Sequence, residues 1–482
     1  MSQPPARRPG DRVVRRRFKA SRTIELPHAL ERQVVPNPRR HAKLFSLGLI
    51  AVIVVATILL TLPVSSRSGD STPIVDAFFT AVSAFCVTGL IVVDTQTHWS
   101  FVGQVVILVL MQAGGLGFMV GASLVLRVLQ RGATTGLRET LLLQDGAPTL
   151  SLREAASLSG RITRFTLIVE AIGAAILFLY FAIAADKPVH IALWHGIFHS
   201  ISAFCNAGFD LQGQYSSLIG YRSSIIVNLT ILVLVQAGAL SFMFFADINA
   251  KRRWRTLALE SKIIMVANAI VAAVGAGIFL AAEWNQTLAS IPVIERPLVA
   301  LFQGAAGRTA GFATINFADL TTITLFSWVA IMFIGGASAS TAGGVKLTTV
   351  GVIGLAVVST IRGQQEPQVF GRRIPTPLVF RAMAVVTLMF LAHFVATLAL
   401  TITQHYTAGD FTFLPLMFET MSAIATVGLS TGITPLLSDP AKLILCVTMI
   451  FGRLGPLTVV YALQIRQHAV RYRFPEEPVR IG

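Results

Sequence analysis

Long apolar stretches alternate with short polar ones along the chain, and their lengths fall into two classes. One class is long enough to cross a bilayer, which takes about 20 residues: Leu44–Val64, Phe101–Leu126, Phe165–Ala185, Ile225–Ala246, Ile263–Ala282, Leu320 to about Val345, Ala382–Gln404 and Leu443–Ile465. The other class is too short to cross: Ile74–Phe85, Ile191–Phe204, Pro297–Ala306 and Phe413–Ala423. The two classes alternate as span, short helix, span, four times over. The pattern predicts an all-α polytopic membrane protein with eight spans and four re-entrant half-helices. The four units occupy residues 44–128, 161–248, 262–350 and 377–465, between a basic arm (1–43) and a tail (466–482).

Composition agrees with a membrane chain: 54% of the 482 residues are hydrophobic and 13% are charged. A net charge of +16 would suit nucleic acid, but its placement excludes that partner. Basic residues crowd residues 1–43 and then Arg127–Arg138, Lys251–Arg255, Arg362–Arg381 and Arg466–Arg473, in every second connection. Asp70, Asp94, Asp186, Asp210, Glu283, Asp319 and Asp410 occupy the alternate connections. That is the positive-inside pattern, with both termini cytoplasmic. The first apolar run spans rather than acting as a cleavable signal. Prolines 4, 5, 9, 36 and 38 mark the arm as non-helical. Cys86, Cys205 and Cys446 form no disulfide framework and have no metal-site spacing.

Each half-helix ends in a related loop: SAFCVTGL (Ser83–Leu90), SAFCNAGF (Ser202–Phe209), AAGRTAGF (Ala305–Phe312) and, within FETMSAIATVGLSTGIT (Phe418–Thr434), the segment at ATVGL. Superposition aligns Gly89, Gly208, Gly311 and Gly428, roughly 100–120 residues apart. A glycine at one repeated position indicates positive φ or a close approach. Two spans separate consecutive loops, so all four lie on one membrane face, and the charge pattern makes it the outer one. The residues before the glycines are Val87-Thr88, Asn206-Ala207, Thr309-Ala310 and Thr426-Val427. Four such loops about one axis would present a pseudo-symmetric ring of backbone carbonyls to a dehydrated cation, the chemistry by which K⁺ trades its hydration shell. The half-helix C-terminal ends would add partial negative charge.

The second spans also repeat. Met111–Gly117, Val235–Ser241, Met332–Gly336 and Met449–Gly455 align without a gap, rich in small residues suited to close helix contact. At one aligned position stand Gly115, Ala239, Gly336 and Arg453, so one repeat of four carries a charge at membrane depth, a functional candidate. In the third unit Gly335–Thr349, GGASASTAGGVKLTT, interrupts the span. Non-helical backbone there must be buried in protein or line water. It is either a helix kink or a movable loop beneath the pore; Lys346 beside it can snorkel to the inner surface.

These motifs together (FCVTGL, FCNAGFDL, GRTAGF, ATVGLSTGIT, GGASASTAGGVKLTT and FGRLGPLT) resemble the Ktr/Trk/HKT superfamily of potassium transporters over residues 44–465. With one span before the first half-helix, the chain looks most like the Ktr membrane subunit. The resemblance implies K⁺ as the transported ion, with a filter at Val87, Thr88, Gly89, Asn206, Ala207, Gly208, Thr309, Ala310, Gly311, Thr426, Val427 and Gly428. It implies an intramembrane gate loop at Gly335, Gly336, Ser338, Ser340, Thr341, Gly343 and Gly344, with Lys346 beside it, and Arg453 as a barrier below the filter. It also implies a homodimer seated on a ring of cytoplasmic nucleotide-binding regulatory subunits, and leaves Na⁺ dependence open. Ala339 and Ala342 depart from more glycine-dense loops.

Other candidates are fewer. His195 and His199, four apart on a half-helix, could ligate a metal or simply pack. Glu170 and Glu419 could hold a coupling proton or Na⁺, which would make the protein a secondary K⁺ symporter, or be hydrogen-bonded carboxylates. There is no phosphate-binding loop, so nucleotide control would come from a partner, and no organic cofactor is expected. No nucleophile–base set points to an enzyme.

Overall fold

The computed structural model describes residues 38–133, 152–364, 366–407 and 411–465. The basic arm as far as residue 37, the basic residue Arg138 and the tail 466–482 lie outside the described residues. By contacts the chain divides at Ile50–Ala51; apart from the start of α1, everything below concerns the unit that begins at Ala51.

Among the described residues the chain is almost entirely helical. In order the helices are α1 (Pro38–Thr61), α2 (Ile74–Phe85), α3 (Phe101–Ala133), α4 (Leu152–Ile183), α5 (Val189–Cys205), α6 (Ile225–Ala239), α7 (Phe242–Lys251), α8 (Leu259–Glu283), α9 (Arg296–Ala306), α10 (Thr322–Phe333), α11 (Leu347–Ile361), α12 (Thr376–Thr407), α13 (Phe413–Ile424) and α14 (Asp439–Ile465). A hairpin of β1 (Gln368–Val369) and β2 (Arg372–Arg373) joins α11 to α12. Pro38, assigned from sequence to a helix-free arm, opens α1 instead. Proline is accepted in a first turn, where its missing N–H has no partner to lose.

Among the described residues four helices are long and apolar enough to cross a membrane, or five if the bent pair α6–α7 counts as one. Their outward faces are oily: Phe390, Leu391, Phe394, Val395 and Leu398 of α12 are all at least half exposed. In water that run would be a liability, whereas lipid tails solvate it. This is a multi-pass membrane protein.

The short helices match the expected half-helices closely: α2 coincides with Ile74–Phe85, and α5, α9 and α13 differ by at most two residues at either end. Each lies against helices of its own unit, α5 against α4 and α6, and α9 against α8. Glycines make that approach possible. A Cβ on Gly114, Gly238 or Gly452 would strike the carbonyl oxygen of Phe85, Phe204 or Ile424, the last turn of the half-helix in the same unit. These glycines occupy one position of the aligned span motif, so their smallness has a definite purpose.

Two expected spans are not continuous. Ile225–Ala246 breaks after Ala239, and α7 leaves α6 at 91°. Ser241, at φ +70° and ψ 150°, makes the corner. The span expected from Leu320 to about Val345 is helical only to Phe333. Residues 334–346 are irregular, and α11 then begins at Leu347. The two breaks have one cause, because the irregular segment supplies hydrogen bonds to the opened end of α6. Ala337 N–H donates to Ala239 O at 2.8 Å and Thr341 N–H to Gly238 O at 3.2 Å. Backbone freed at membrane depth is thereby satisfied within the protein.

Candidate functional site

Three of the four glycine loops are built alike. Val87, Asn206 and Thr426 sit in the left-handed region, at φ 51°, 58° and 48°. The next residue donates its N–H five residues back: Thr88 to Ser83 O, Ala207 to Ser202 O and Val427 to Ser422 O, at 2.8–2.9 Å. This is the Schellman ending of a helix, which satisfies the last carbonyls and turns the chain sharply. The serine six residues before the glycine then straps the loop. Ser83 Oγ donates to Leu90 O and Ser202 Oγ to Phe209 O, both at 2.7 Å, while Ser422 Oγ accepts from Gly428 N–H at 3.0 Å. The third loop has alanine at that position and turns differently: Ala310 N–H bonds Ala306 O at 3.0 Å, and no residue before its glycine is left-handed.

The four glycines meet. Gly89, Gly208, Gly311 and Gly428 have φ of +88°, +76°, +68° and +93°, and each abuts the loop of the next unit. A Cβ on Gly89 would strike Ala207 O; one on Gly208 would lie 2.8 Å from Ala310 O; one on Gly311, 2.6 Å from Val427 O; one on Gly428 would strike Thr88 O. The contacts run first to second, second to third, third to fourth and fourth to first, so the ring closes on itself. Glycine is required twice over, by the positive φ and by the neighbouring backbone.

The irregular segment 334–346 lies against this ring. Its ends pair as a short parallel bridge, Gly335 N–H to Val345 O at 2.8 Å and Val345 N–H to Phe333 O at 3.1 Å. Ser340 Oγ donates to Ala337 O, and Ser338 Oγ lies 2.9 Å from Thr348 Oγ1. Ala339 is left-handed at φ 56°, a conformation costly for a residue with a Cβ. A Cβ on Gly343 would run into Thr426 Oγ1 and Ala425 O of the fourth loop, and one on Gly336 would lie 2.7 Å from Ala239 O. Gly344, at φ +67°, turns the chain back past Gly335.

Arg453, 3% exposed on α14, reaches this segment. Its Nη1 donates to Thr341 O, its Nη2 to Gly114 O at 3.3 Å, and its guanidinium lies 4.4 Å from the ring centre of Phe118. Lys346 does not snorkel away: its ammonium bonds Ala342 O, 5.5 Å from the same ring. Two cations thus share one aromatic platform, Phe118, which sequence reasoning missed because one phenylalanine in an apolar helix carries no signal. Arg308 was missed too. It is fully buried behind the third loop, where Nη2 donates to Asn268 Oδ1 at 2.7 Å. Asn268 in turn donates to Gln236, which donates to Ala305 O.

The carboxylates have different surroundings. Glu419, fully buried in α13, accepts from Ser430 Oγ, Thr431 N–H and Oγ1 and Thr434 Oγ1 at 2.7–3.2 Å, pinning the chain after the fourth glycine. Glu170 accepts from Gln112 Nε2 at 3.0 Å, with Cys205 Sγ 4.0 Å away. His195 and His199 act as hydrogen-bonding groups: Lys187 Nζ lies 3.2 Å from His195 Nδ1, and His199 Nε2 accepts from Leu211 N–H at 3.3 Å. A lysine ammonium at that distance opposes a metal cation on His195.

The TrkH family of cation transport proteins matches residues 36–470. The chain belongs to that family. Its relatives include the Ktr system potassium uptake protein B of Bacillus subtilis, 36% identical over 91% of this chain and 96% of that protein. Another is the potassium/sodium uptake protein NtpJ of Enterococcus hirae, 34% identical over 91% and 97%. The crystal structure of the potassium transporter TrkH from Vibrio parahaemolyticus superposes with a TM-score of 0.65, at 22% identity, covering 88% of this chain and 86% of that one. TrkH-family membership places the chain among transport proteins, not enzymes.

Proposed function

We propose that this TrkH-family chain takes up K⁺ through a gated, channel-like pore whose selectivity filter is the four-loop ring. The observation that carries the reading is the cyclic contact of Gly89, Gly208, Gly311 and Gly428 with the carbonyls of Ala207, Ala310, Val427 and Thr88. Closely apposed carbonyls are what replaces the water around a monovalent cation. The full architecture in this reading is eight spans and four half-helices, in the plasma membrane of a bacterial-type cell, with both termini cytoplasmic. Residues 334–346 form the gate, held shut by Arg453, with Lys346 adding positive charge beside it. A homodimer works with a cytoplasmic nucleotide-binding regulatory partner, and the potassium/sodium relative supports Na⁺ dependence.

The test is radioactive rubidium uptake into liposomes holding the purified protein, with and without Na⁺ and a pH gradient. Uptake driven by the rubidium gradient alone and blocked by K⁺ supports the pore. Uptake that needs a Na⁺ or proton gradient favours a symporter instead. Deleting residues within Ser338–Ala342 should raise flux; unchanged flux would remove the gate assignment.

A further inference from the structure

Two residues before the four glycines stand Val87, Asn206, Thr309 and Thr426, and one of them does something the others do not. The buried Asn206 amide reaches in two directions. Its Nδ2 donates to Thr341 Oγ1 of the irregular segment at 2.8 Å, and its Oδ1 accepts from Thr309 Oγ1 of the third loop at 2.9 Å. Thr341 Oγ1 passes its own proton to Phe204 O at 3.1 Å. The remaining polar groups of Thr341 are also engaged, N–H with Gly238 O and C=O with Arg453. Thr341 cannot leave this position without breaking the shortest of the three hydrogen bonds made by Asn206 Nδ2, the other two going to Phe204 O and Val235 O.

We propose that Asn206 is a positioning residue that latches the gate to the filter, so that ion preference changes when the gate opens. The proposal rests on the filter and gate assignments above. When Thr341 moves away, Asn206 Nδ2 loses its shortest hydrogen bond and Phe204 O loses the Thr341 hydroxyl, in a dry environment where a weakened or unmade hydrogen bond is costly. The amide, which already donates to Phe204 O and Val235 O at 3.2 and 3.3 Å, then rotates to centre on those two carbonyls. That rotation withdraws Oδ1 from Thr309, the hydrogen bond that ties the second loop to the third. The left-handed backbone at residue 206, φ 58°, suits asparagine and glycine above other residues. Glycine there removes the latch without altering the turn.

The experiment compares Thr341→Val, Thr341→Ser, Asn206→Gly and the Val/Gly double variant in liposomes, reading rubidium flux and the rubidium-to-sodium uptake ratio. Thr341→Val lies off the filter and removes only the hydroxyl, so a role confined to the gate would raise flux and leave the ratio alone. The latch predicts that it raises basal flux severalfold and lowers the ratio at least threefold, that Thr341→Ser restores both, and that the double variant matches Asn206→Gly. An unchanged ratio in Thr341→Val, or multiplied effects in the double variant, overturns the latch. Gly428→Ser, which leaves the Asn206–Thr341 bond in place, is run alongside. If Gly428→Ser leaves the ratio unchanged, the filter assignment itself fails and the latch with it. If Gly428→Ser shifts the ratio and Thr341→Val does not, only the latch fails.

Discussion

Replacing Arg453 with alanine isolates the force that holds the irregular segment in place. Of the three contacts made by its guanidinium, those with Gly114 O and Phe118 lie within α3 and persist whether the segment moves or not. The bond to Thr341 O alone favours the segment's present position. A hydrogen bond to a charged group contributes about 1.5–3 kcal/mol net, which shifts a two-state equilibrium by roughly 10- to 150-fold. Rubidium flux through Arg453→Ala in liposomes without any partner protein should therefore rise at least tenfold over the unsubstituted chain. Arg453→Lys, with a charge but no planar fork, should fall between. Lys346 stays beside Phe118, so a positive charge remains and the change reports the lost bond more than the lost field. Flux equal to the parent's, in protein that elutes as a single folded species, would refute the assignment of Arg453 to the gate.

Gly428→Ser should reduce K⁺ over Na⁺ selectivity severalfold, because its Cβ meets Thr88 O at φ +93°; Gly311→Ser should act alike, and competition of K⁺ and Na⁺ against rubidium uptake measures both. Ser241→Gly should stabilise the protein by about 1 kcal/mol, since φ +70° with ψ 150° is a conformation close to glycine-only and costs other residues about 1–3 kcal/mol; a lower unfolding midpoint in detergent would contradict this. Lys442 Nζ on α14 lies 2.7 Å from Asp76 Oδ1 at the start of α2, both side chains largely buried. Asp76→Asn leaves that ammonium only the more exposed Asp439 carboxylate, 3.4 Å away, and should destabilise by about 1.5–3 kcal/mol, the net worth of a hydrogen bond to a charged group. The exchanged pair Asp76→Lys with Lys442→Asp should recover part of the loss in the same assay.

The half-helices and glycine loops were legible in the sequence because they repeat: a short apolar run, a serine in three cases, and a glycine six residues later. Repetition also exposed Arg453, as the one charge in an aligned column of small residues. What could not be read was anything that depends on which loop touches which. The corner at Ser241 has no distinctive breaker, since Gly238 before it has counterparts in Gly114 and Gly452, where the helices run on. It exists because residues 334–346 need Gly238 and Ala239 carbonyls as acceptors, a requirement set about a hundred residues downstream. Asn206 likewise looked like one more variable residue before a glycine. Its hydrogen bonds to Thr309 and Thr341 connect units that no local pattern relates.

The cyclic order of the glycine contacts gives the ring a handedness. Every loop leans on its successor and supports its predecessor, like stones laid around an opening with no first or last member. Such a construction cannot be altered one piece at a time without consequence. A larger residue in one loop displaces the carbonyl ahead of it, while the carbonyl behind loses its stop. Exchanging a single loop for a foreign one should therefore disturb its two neighbours unequally, in a direction set by the chain's order. The four units can therefore differ in side chains, as Val87, Asn206, Thr309 and Thr426 do, while all four carry glycine at the point of contact.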